Sequence, residues 1–238
     1  MINGLTTSLV MPCRNEAKHL TQMVAELPDF YDEIICVSNK STDDTVQLGK
    51  KLEKTNNRFH MYIDDRCASG IGYGYAHMTG IAHAKGDIIV CADSDCTYPV
   101  EDAPRILNEM KKRNLLLASC TRYPDSTIPF ALQLGVKVLN FEMFLLYGVV
   151  IHDSLSGMWV FRRDVAPRLH LTEGDWNLSP QIKLNAHRYL GTRFGEVKIV
   201  QKTRQGETKQ RYLKTGLGHL WWVAKNRFVQ RKGVQPAD

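Results

Sequence analysis

The chain has 238 residues, 43% of them apolar and 24% charged, which is ample for one globular domain with its own core and excludes a disordered or fibrous protein. The net charge of +6 is unevenly placed: between Lys198 and Lys232 stand ten basic residues and a single acid, Glu207, so this segment carries +9 and the remainder −3. The six cysteines, Cys13, Cys36, Cys67, Cys91, Cys96 and Cys120, form no C-x-x-C pair, which argues for reduced core thiols rather than a zinc site or a disulfide framework.

In chain order, short β-branched runs alternate with helical patterns, the mark of a parallel sheet built from βαβ units. Strands are expected at Ser8 to Met11, Glu33 to Val37, His60 to Ile63, Asp87 to Ala92 and Leu115 to Ser119. Helices are expected at Glu16 to Leu27, Asp43 to Glu53, Tyr75 to Ala84 and Val100 to Lys112. No cationic or apolar leader precedes Thr6-Thr7-Ser8, so the reading places the chain in the cytosol. The apolar stretch Ile128 to Ile151 is interrupted by Gln133, Lys137, Asn140 and Glu142 at helical intervals and reads as an amphipathic helix, buried or interfacial, rather than a membrane span. Beyond it, Ser156 to Phe161 is expected to be extended, Leu178 to Leu190 helical and Arg193 to Val200 a strand. Leu217 to Val229 then forms an amphipathic helix. Its Leu217, Leu220, Trp221, Val223, Ala224 and Phe228 share one face, flanked by Lys225, Arg227 and Arg231. The whole chain, 1–238, is read as one domain with three parts: 1–125, 126–200 and the basic segment 201–238.

In an open α/β sheet the ligand lies beyond the carboxyl ends of the strands, and here those ends are polar: Arg14-Asn15-Glu16, Ser38-Asn39-Lys40-Ser41, Asp64-Asp65, Asp93-Ser94-Asp95 and Thr121-Arg122. A D-x-D spacing in extended chain puts both carboxylates of Asp93 and Asp95 on one side, able to hold Mg²⁺ or Mn²⁺ together with a substrate's phosphate oxygens. Ser41 or Thr42 is placed to cap the following helix, with Asp43 and Asp44 complementing its positive end. Gly70-Ile-Gly-Tyr-Gly-Tyr-Ala76 is not directly preceded by a strand, so its glycines read as allowing close approach of backbone to a ligand or turn, not as a dinucleotide fingerprint.

The ordered set Val10-Met-Pro-Cys-Arg-Asn-Glu16, Val37-Ser-Asn-Lys-Ser-Thr-Asp-Asp-Thr45, Gly72-Tyr-Gly74, Gly86-Asp87 and Ala92-Asp-Ser-Asp-Cys-Thr-Tyr-Pro99 resembles the nucleotide-sugar half of an inverting family-2 glycosyltransferase. Further on, Thr121-Arg122, Asp153-Ser-Leu-Ser-Gly-Met158, Phe161-Arg-Arg163, Glu196-Val-Lys-Ile199 and Thr203-Arg-Gln-Gly-Glu-Thr-Lys209 resemble the polyprenyl-phosphate branch, typified by dolichol-phosphate mannose and glucose synthases. The resemblance implies a GT-A, Rossmann-like three-layer α/β/α fold with a mostly parallel central sheet. It implies a catalytic set of Asp93, Asp95 and Arg122, with Asp93 and Asp95 holding the Mg²⁺ or Mn²⁺. Pro12, Arg14, Asn15, Glu16, Ser38, Asn39, Ser41, Asp64, Asp65, Gly72, Gly74, Asp93 and Ser94 would bind the nucleotide sugar. Arg122, Ser156, Gly157, Arg204 and Lys209 would bind the acceptor phosphate.

Two departures refine this. Gln181 stands where many relatives carry a glutamate, which a phosphate acceptor tolerates because it is already ionised near neutrality and needs no base. Ser38 and Asn39 are neutral where relatives are acidic, leaving the donor open between UDP- and GDP-linked sugars. The expected partners are thus a nucleotide sugar, a polyprenyl or dolichyl phosphate and an anionic membrane surface met by the basic segment, with any anchor supplied by a partner or by sequence beyond this chain. A transferase to a glycan or protein hydroxyl would need a base, for which Asp175 or Glu173 are the candidates. A nucleic-acid-binding tail with Trp221 and Trp222 stacking on bases leaves Asp93 and Asp95 unexplained, so no nucleic acid is expected.

Overall fold

In the computed structural model, residues 1–66, 71–122, 130–202 and 212–230 are described. Seven strands form one sheet in the order β3-β2-β1-β4-β6-β5-β7. They are β1 (Thr7–Cys13), β2 (Glu33–Ser38), β3 (Phe59–Ile63), β4 (Ile88–Cys91), β5 (Leu117–Thr121), β6 (Trp159–Arg162) and β7 (Phe194–Lys198). Each of β1 to β4 is separated from the next by a helix: α1 (Leu20–Ala25), α2 (Thr45–Thr55) and α3 (Tyr73–His83). α4 (Ala103–Lys112) precedes β5, α5 (Phe130–Tyr147) precedes β6, α6 (Leu178–Leu190) precedes β7, and α7 (Tyr212–Gln230) ends the described chain.

The strands are buried on both faces, and their side chains divide by alternation. Leu9, Met11, Ile34, Cys36 and Val90 pack under α1, α2 and α4, whereas Val10, Ile35, Val37, Ile89 and Cys91 pack under α3 and α6. This is the expected three-layer α/β/α sandwich. Four of the five cysteines described, Cys13, Cys36, Cys91 and Cys120, are buried free thiols, as expected of core residues.

β6 is the one strand that runs against its neighbours, pairing antiparallel with β4 (Cys91 opposite Trp159) and with β5 (Ser119 opposite Trp159). The reversal matters for the site. It brings the loop that enters β6 to the same edge as the carboxyl ends of β1, β2, β4 and β5. It also carries Arg162 and Arg163 to the opposite edge, where Arg162 pairs with Asp164 at 2.7 Å and Arg163 donates to the Gly86 carbonyl, so neither reaches the polar strand ends.

Several local expectations are corrected. α1 begins at Leu20 rather than Glu16, because the N–H groups of Glu16 and Ala17 donate to Thr45 Oγ1 and Asp43 Oδ2 of the neighbouring loop. α2 has no side-chain cap from Ser41 or Thr42: Asp44 is its N-cap residue, while Asp43 accepts from the Thr45 N–H and hydroxyl. β6 starts at Trp159, so Ser156 and Gly157 lie in its entry loop. A 3₁₀ segment over Arg163–Leu169, absent from the sequence reading, tucks Val165 and Leu169 under the sheet.

A third apolar cluster joins α5 to α7 through Leu139, Met143, Trp222 and Val223, with Leu184 of α6 beneath. The expected single apolar face of α7 is therefore divided. Val223 turns inward with Trp222, whereas Leu217, Trp221 and Phe228 are exposed. No helix among the described residues is long and apolar enough to cross a membrane.

Candidate active site

The loops after β1 and β2 are sewn together by short polar side chains. Asn15 Oδ1 accepts the Thr42 N–H at 2.8 Å, the Asn15 N–H donates to Ser41 Oγ at 3.2 Å, and Ser38 Oγ and Ser41 Oγ lie 2.7 Å apart. Asn39 Nδ2 donates to the carbonyls of Asp64 (2.7 Å) and Arg66 (2.9 Å), tying the end of β2 to the end of β3. The Asp64 carboxylate is buried and clasped by Arg66 and Thr79. Burial alone would raise its pKa, but the Arg66 and Thr79 hydrogen bonds hold it below the usual carboxylate range. Ser38, Asn39 and Asp64 thus shape the loops from within, and Asp65 is the exposed carboxylate at the tip of β3.

Backbone geometry marks the same edge. Asn15, Lys40 and Cys96 follow β1, β2 and β4 and have φ of 55°, 49° and 58°. Left-handed backbone suits asparagine but not lysine or cysteine, and such conformations collect at sites that the surrounding structure over-determines.

After β4 the chain turns at Ser94-Asp95 instead of staying extended, so a turn and not strand alternation sets where the two carboxylates stand. Asp93 Oδ1 accepts from the Tyr73 hydroxyl at 2.9 Å, and Asp95 Oδ1 accepts from the N–H and hydroxyl of Thr97. Ser94 is buried and donates to the Pro12 carbonyl, fixing the turn to β1. Burial, and then the Asp93 charge, push the Tyr73 phenol well above its ordinary pKa, so it remains a donor. Gly157 lies against the Asp93 carboxylate: a methyl group there would stand 3.3 and 3.4 Å from its two oxygens and 2.6 Å from the Tyr73 hydroxyl. The Gly157 N–H donates to the Tyr98 hydroxyl at 2.7 Å.

These residues fit a hard divalent cation shared with a substrate. Two carboxylates on one turn supply oxygen ligands, glycine at 157 keeps the space beside them clear, and among the described residues no group of three His, Cys, Asp or Glu forms a closed cage. Such a donor set leaves coordination positions for diphosphate oxygens, the arrangement Mg²⁺ and Mn²⁺ favour.

Across from this turn, Arg122 makes a two-pronged ion pair with Asp153, Nε to Oδ2 at 2.7 Å and Nη2 to Oδ1 at 2.9 Å, and its own N–H also donates to Asp153. Burial alone would raise the Asp153 pKa, but Arg122 overrides it and holds the carboxyl down. Burial likewise opposes the Arg122 charge, and Tyr98 and Asp153 hold it on. Glu196 accepts from the N–H groups of His152 and Asp153, bracing the loop from β7. Lys183, wholly buried on α6, donates to the carbonyls of Ser154 and Ser156 at 3.0 and 2.8 Å and to Ser179. Burial lowers its pKa to about 7 against the opposing pull of Asp153 and Glu196.

Gly72 and Gly74, expected at the donor, have a packing duty. Gly74 sits where a methyl would stand 2.0 Å from the Glu173 carbonyl, and Gly72 has φ of 70° against the Asn39 side chain. The start of α3 thereby locks onto the loop 173–176, with Tyr73 stacked on Trp176 at 4.6 Å between ring centroids. Asp175 takes backbone hydrogen bonds from Ile71, Trp176 and Tyr73, yet burial outweighs them and raises its pKa. Gln181 accepts from the N–H groups of Thr172 and Glu173 and donates to the Thr172 hydroxyl, which makes it a brace for the same loop. Arg204 and Lys209 lie outside the described residues.

Tyr73, Tyr98, Asp153 and Lys183 are the site-forming residues that sequence reasoning did not single out. Tyr73, Tyr98 and Asp153 stood inside quoted motifs. Lys183, between Ile182 and Leu184 in a helical pattern, gave no signal.

The seven-stranded, mostly parallel sheet with its polar strand ends on one edge is a GT-A fold. The fold is that of glucosyl-3-phosphoglycerate synthase from Mycobacterium tuberculosis, solved with Mn²⁺, UDP-glucose and phosphoglyceric acid, with a TM-score of 0.67 over 98% of this chain and 82% of that one at 20% identity. Residues 8–169 match the model for glycosyl transferase family 2, and the chain belongs to that family. Among curated relatives, the low-salt glycan biosynthesis hexosyltransferase Agl6 of Haloferax volcanii is 28% identical over 93% of this chain, which spans only 54% of that relative's length. A dolichyl-phosphate hexose transferase of the same organism is 25% identical over 85% of each chain.

Proposed function

We propose that this family-2 glycosyltransferase moves a hexose, with inversion, from a UDP- or GDP-linked donor to a polyprenyl or dolichyl phosphate at the cytosolic face of a membrane. The observation that supports the acceptor reading is a cation, Arg122, beside the Asp93 turn, together with a glutamine, Gln181, where a hydroxyl acceptor's base would stand. Arg122 is held beside the loop that touches Asp93, and Gln181 is consumed in bracing the backbone of Thr172 and Glu173. A hydroxyl acceptor must give up a proton as it attacks, whereas a phosphate monoester is already ionised. Similarity to the dolichyl-phosphate hexose transferase supports the same acceptor class.

In this reading Pro12, Arg14, Asn15, Glu16, Ser38, Asn39, Ser41, Asp64, Asp65 and Ser94 form or brace the donor side, and Asp93 and Asp95 hold the Mg²⁺ or Mn²⁺. When bound, the cation offsets charge on the leaving diphosphate. Arg122, with Ser156 and Gly157 in the entry loop of β6, orients the acceptor phosphate, joined by Arg204 and Lys209. Guanidinium suits this task because its fork of donors matches two phosphate oxygens. An acceptor oxygen then attacks the anomeric carbon from the face opposite the donor diphosphate. The new carbon–oxygen bond forms as the bond to the diphosphate breaks, and the nucleoside diphosphate leaves with the electron pair.

The test is an acceptor panel with UDP- and GDP-hexoses and Mn²⁺. Formation of a lipid-linked monosaccharide from a short-chain polyprenyl phosphate is expected. Transfer to phosphoglycerate or a free sugar hydroxyl, with none to polyprenyl phosphate, would overturn the acceptor assignment while leaving the family membership intact.

A further inference from the structure

α5 has its amphipathic pattern inverted. Leu139 and Met143 pack on α7 and Val136 is buried as well, but the exposed side is also apolar: Phe130, Leu134, Val138, Phe141, Phe144 and Leu145 are each between 48% and 78% exposed. Spacings of four, four, three and four along 130, 134, 138, 141 and 145 make a continuous stripe down the helix. Of the polar residues that interrupt the apolar run, only Lys137 is exposed. Asn140 is bonded to the body, and Glu142 is half-buried with its pKa raised by that burial. On α7 a parallel stripe carries Leu217, Trp221 and Phe228, all about 60% exposed. Scattered apolar residues on a surface are ordinary, but a continuous stripe of large apolar side chains along an exposed helix marks an interaction site.

We infer that the α5–α7 pair is a lipid-docking platform that lies in the headgroup and acyl boundary of an anionic bilayer. Three observations select this occupant. The exposed charges on the two helices are Lys137, Lys214 and Lys225, and α7 contains no acidic residue, so the face complements an anionic surface and would repel a second copy of itself. Lys225 sits 4.7 Å from the centroid of the exposed Trp221 ring, an aromatic–cation pair of the kind that places an apolar body in lipid and a charged tip in the headgroups. The platform is also bolted to the acceptor side of the site. Asn140 of α5 donates to the His152 carbonyl at 2.8 Å and accepts the Ser154 N–H at 3.2 Å, on either side of the Asp153 that holds Arg122. His219 of α7 contacts Asn177, the N-cap of α6, at 2.7 Å. A bilayer seated on the face would therefore present phosphate headgroups next to the Arg122 loop. The main contact is α5 rather than the C-terminal basic segment alone.

The inference extends the lipid-acceptor reading, and the experiment separates the two. The full chain is floated with vesicles of phosphatidylcholine alone and of phosphatidylcholine with phosphatidylglycerol, both lacking polyprenyl phosphate. Binding is expected to both, stronger to the anionic vesicles, with that advantage falling as salt is raised. Phe141→Asp with Leu145→Asp should weaken partition by about tenfold or more per residue removed from lipid, because burying each such side chain is worth at least ~1.5 kcal/mol. Lys137→Glu with Lys225→Glu should abolish only the anionic advantage. The same variants should keep the wild-type melting temperature and their transfer to a soluble short-chain polyprenyl phosphate. Absence of flotation by the wild type, or equal flotation by the Phe141/Leu145 variant, overturns the platform. A wild-type dimer that this variant splits, with no vesicle binding, overturns it in favour of a second copy. Vesicle binding without any transfer would sink the acceptor reading and leave the platform standing.

Discussion

Around the proposed donor site, the loops after β1 and β2 are joined mainly by neutral hydroxyl, amide and backbone groups, with one ion pair, Arg66 on Asp64, at the end of β3. On the acceptor side, the loop 152–157 is held by charges inside the protein: Arg122 against Asp153, Glu196 on the backbone of His152 and Asp153, and Lys183 beneath. The energetic consequences differ. A neutral hydrogen bond near solvent contributes about 0.5–1.5 kcal/mol net, because water substitutes for a lost partner. A buried charge left without its partner costs several times more, because nothing replaces it. The donor side can be retuned by small substitutions, whereas the acceptor side is all-or-none.

The largest effect is expected from breaking the acceptor side. Asp153→Ala strands the Arg122 guanidinium and should cost about 3–5 kcal/mol of stability, read from the urea midpoint. Replacing both members with apolar residues, Arg122→Met with Asp153→Leu, should recover most of that loss and still give no transfer. Stability equal to the single variant would show that the pair is not the element holding the loop. Asp93→Asn, next in size, keeps an acceptor for the Tyr73 hydroxyl and should leave the fold intact while lowering turnover roughly 10²–10³-fold. It should also lose the rise in melting temperature that Mn²⁺ with UDP or GDP gives the wild type.

Lys183 supplies an intermediate test. Its folded pKa of about 7 lies below the ordinary 10.5, so between those values the unfolded chain binds more protons than the folded one. Stability therefore rises with pH through that window as the buried ammonium loses its proton, and below it the full cost of burying the charge remains. Lys183→Met should lack this upward slope. It should also lose about 1–3 kcal/mol near neutrality, because the Ser154 and Ser156 carbonyls lose their donor. Parallel stability–pH curves for variant and wild type would assign the slope to another group.

The two sides also differ in how much the chain discloses before folding. The donor side was legible because each polar cluster follows a β-branched run, and in a parallel sheet such ends meet at one edge. Asp93, Asp95 and Arg122 are found by the same rule. What was not legible depends on partners far apart in sequence. Asp153 meets Arg122 only because β6 runs antiparallel between β4 and β5, which no local pattern announces. The glycines at 72 and 74 were correctly read as sites of close approach, but the approaching backbone is the protein's own loop at 173–174. α5 was read as a helix, buried or interfacial, but the side that meets α7 was not legible: a helix with apolar residues all round shows polar residues wherever they fall, and only packing decides.

Ser41 gives the smallest effect and the cleanest comparison. Its hydroxyl accepts from the Asn15 N–H and meets Ser38 Oγ, so Ser41→Ala removes one neutral link between the loops after β1 and β2 and introduces no buried charge. The expected loss of about 0.5–1.5 kcal/mol of loop order should appear as a two- to tenfold rise in donor KM. Turnover should change little, since the link acts equally on bound substrate and transition state. Acceptor KM should stay at the wild-type value because the Arg122–Asp153 loop shares no bond with Ser41, and sites without common partners add independently. A parallel rise in acceptor KM would mean that the two sides are coupled through the Asp93 turn, where Gly157 of the loop before β6 lies against the Asp93 carboxylate. In that case Ser41→Ala combined with a change at Gly157 should depart from additivity, which a double-mutant cycle on both KM values would measure.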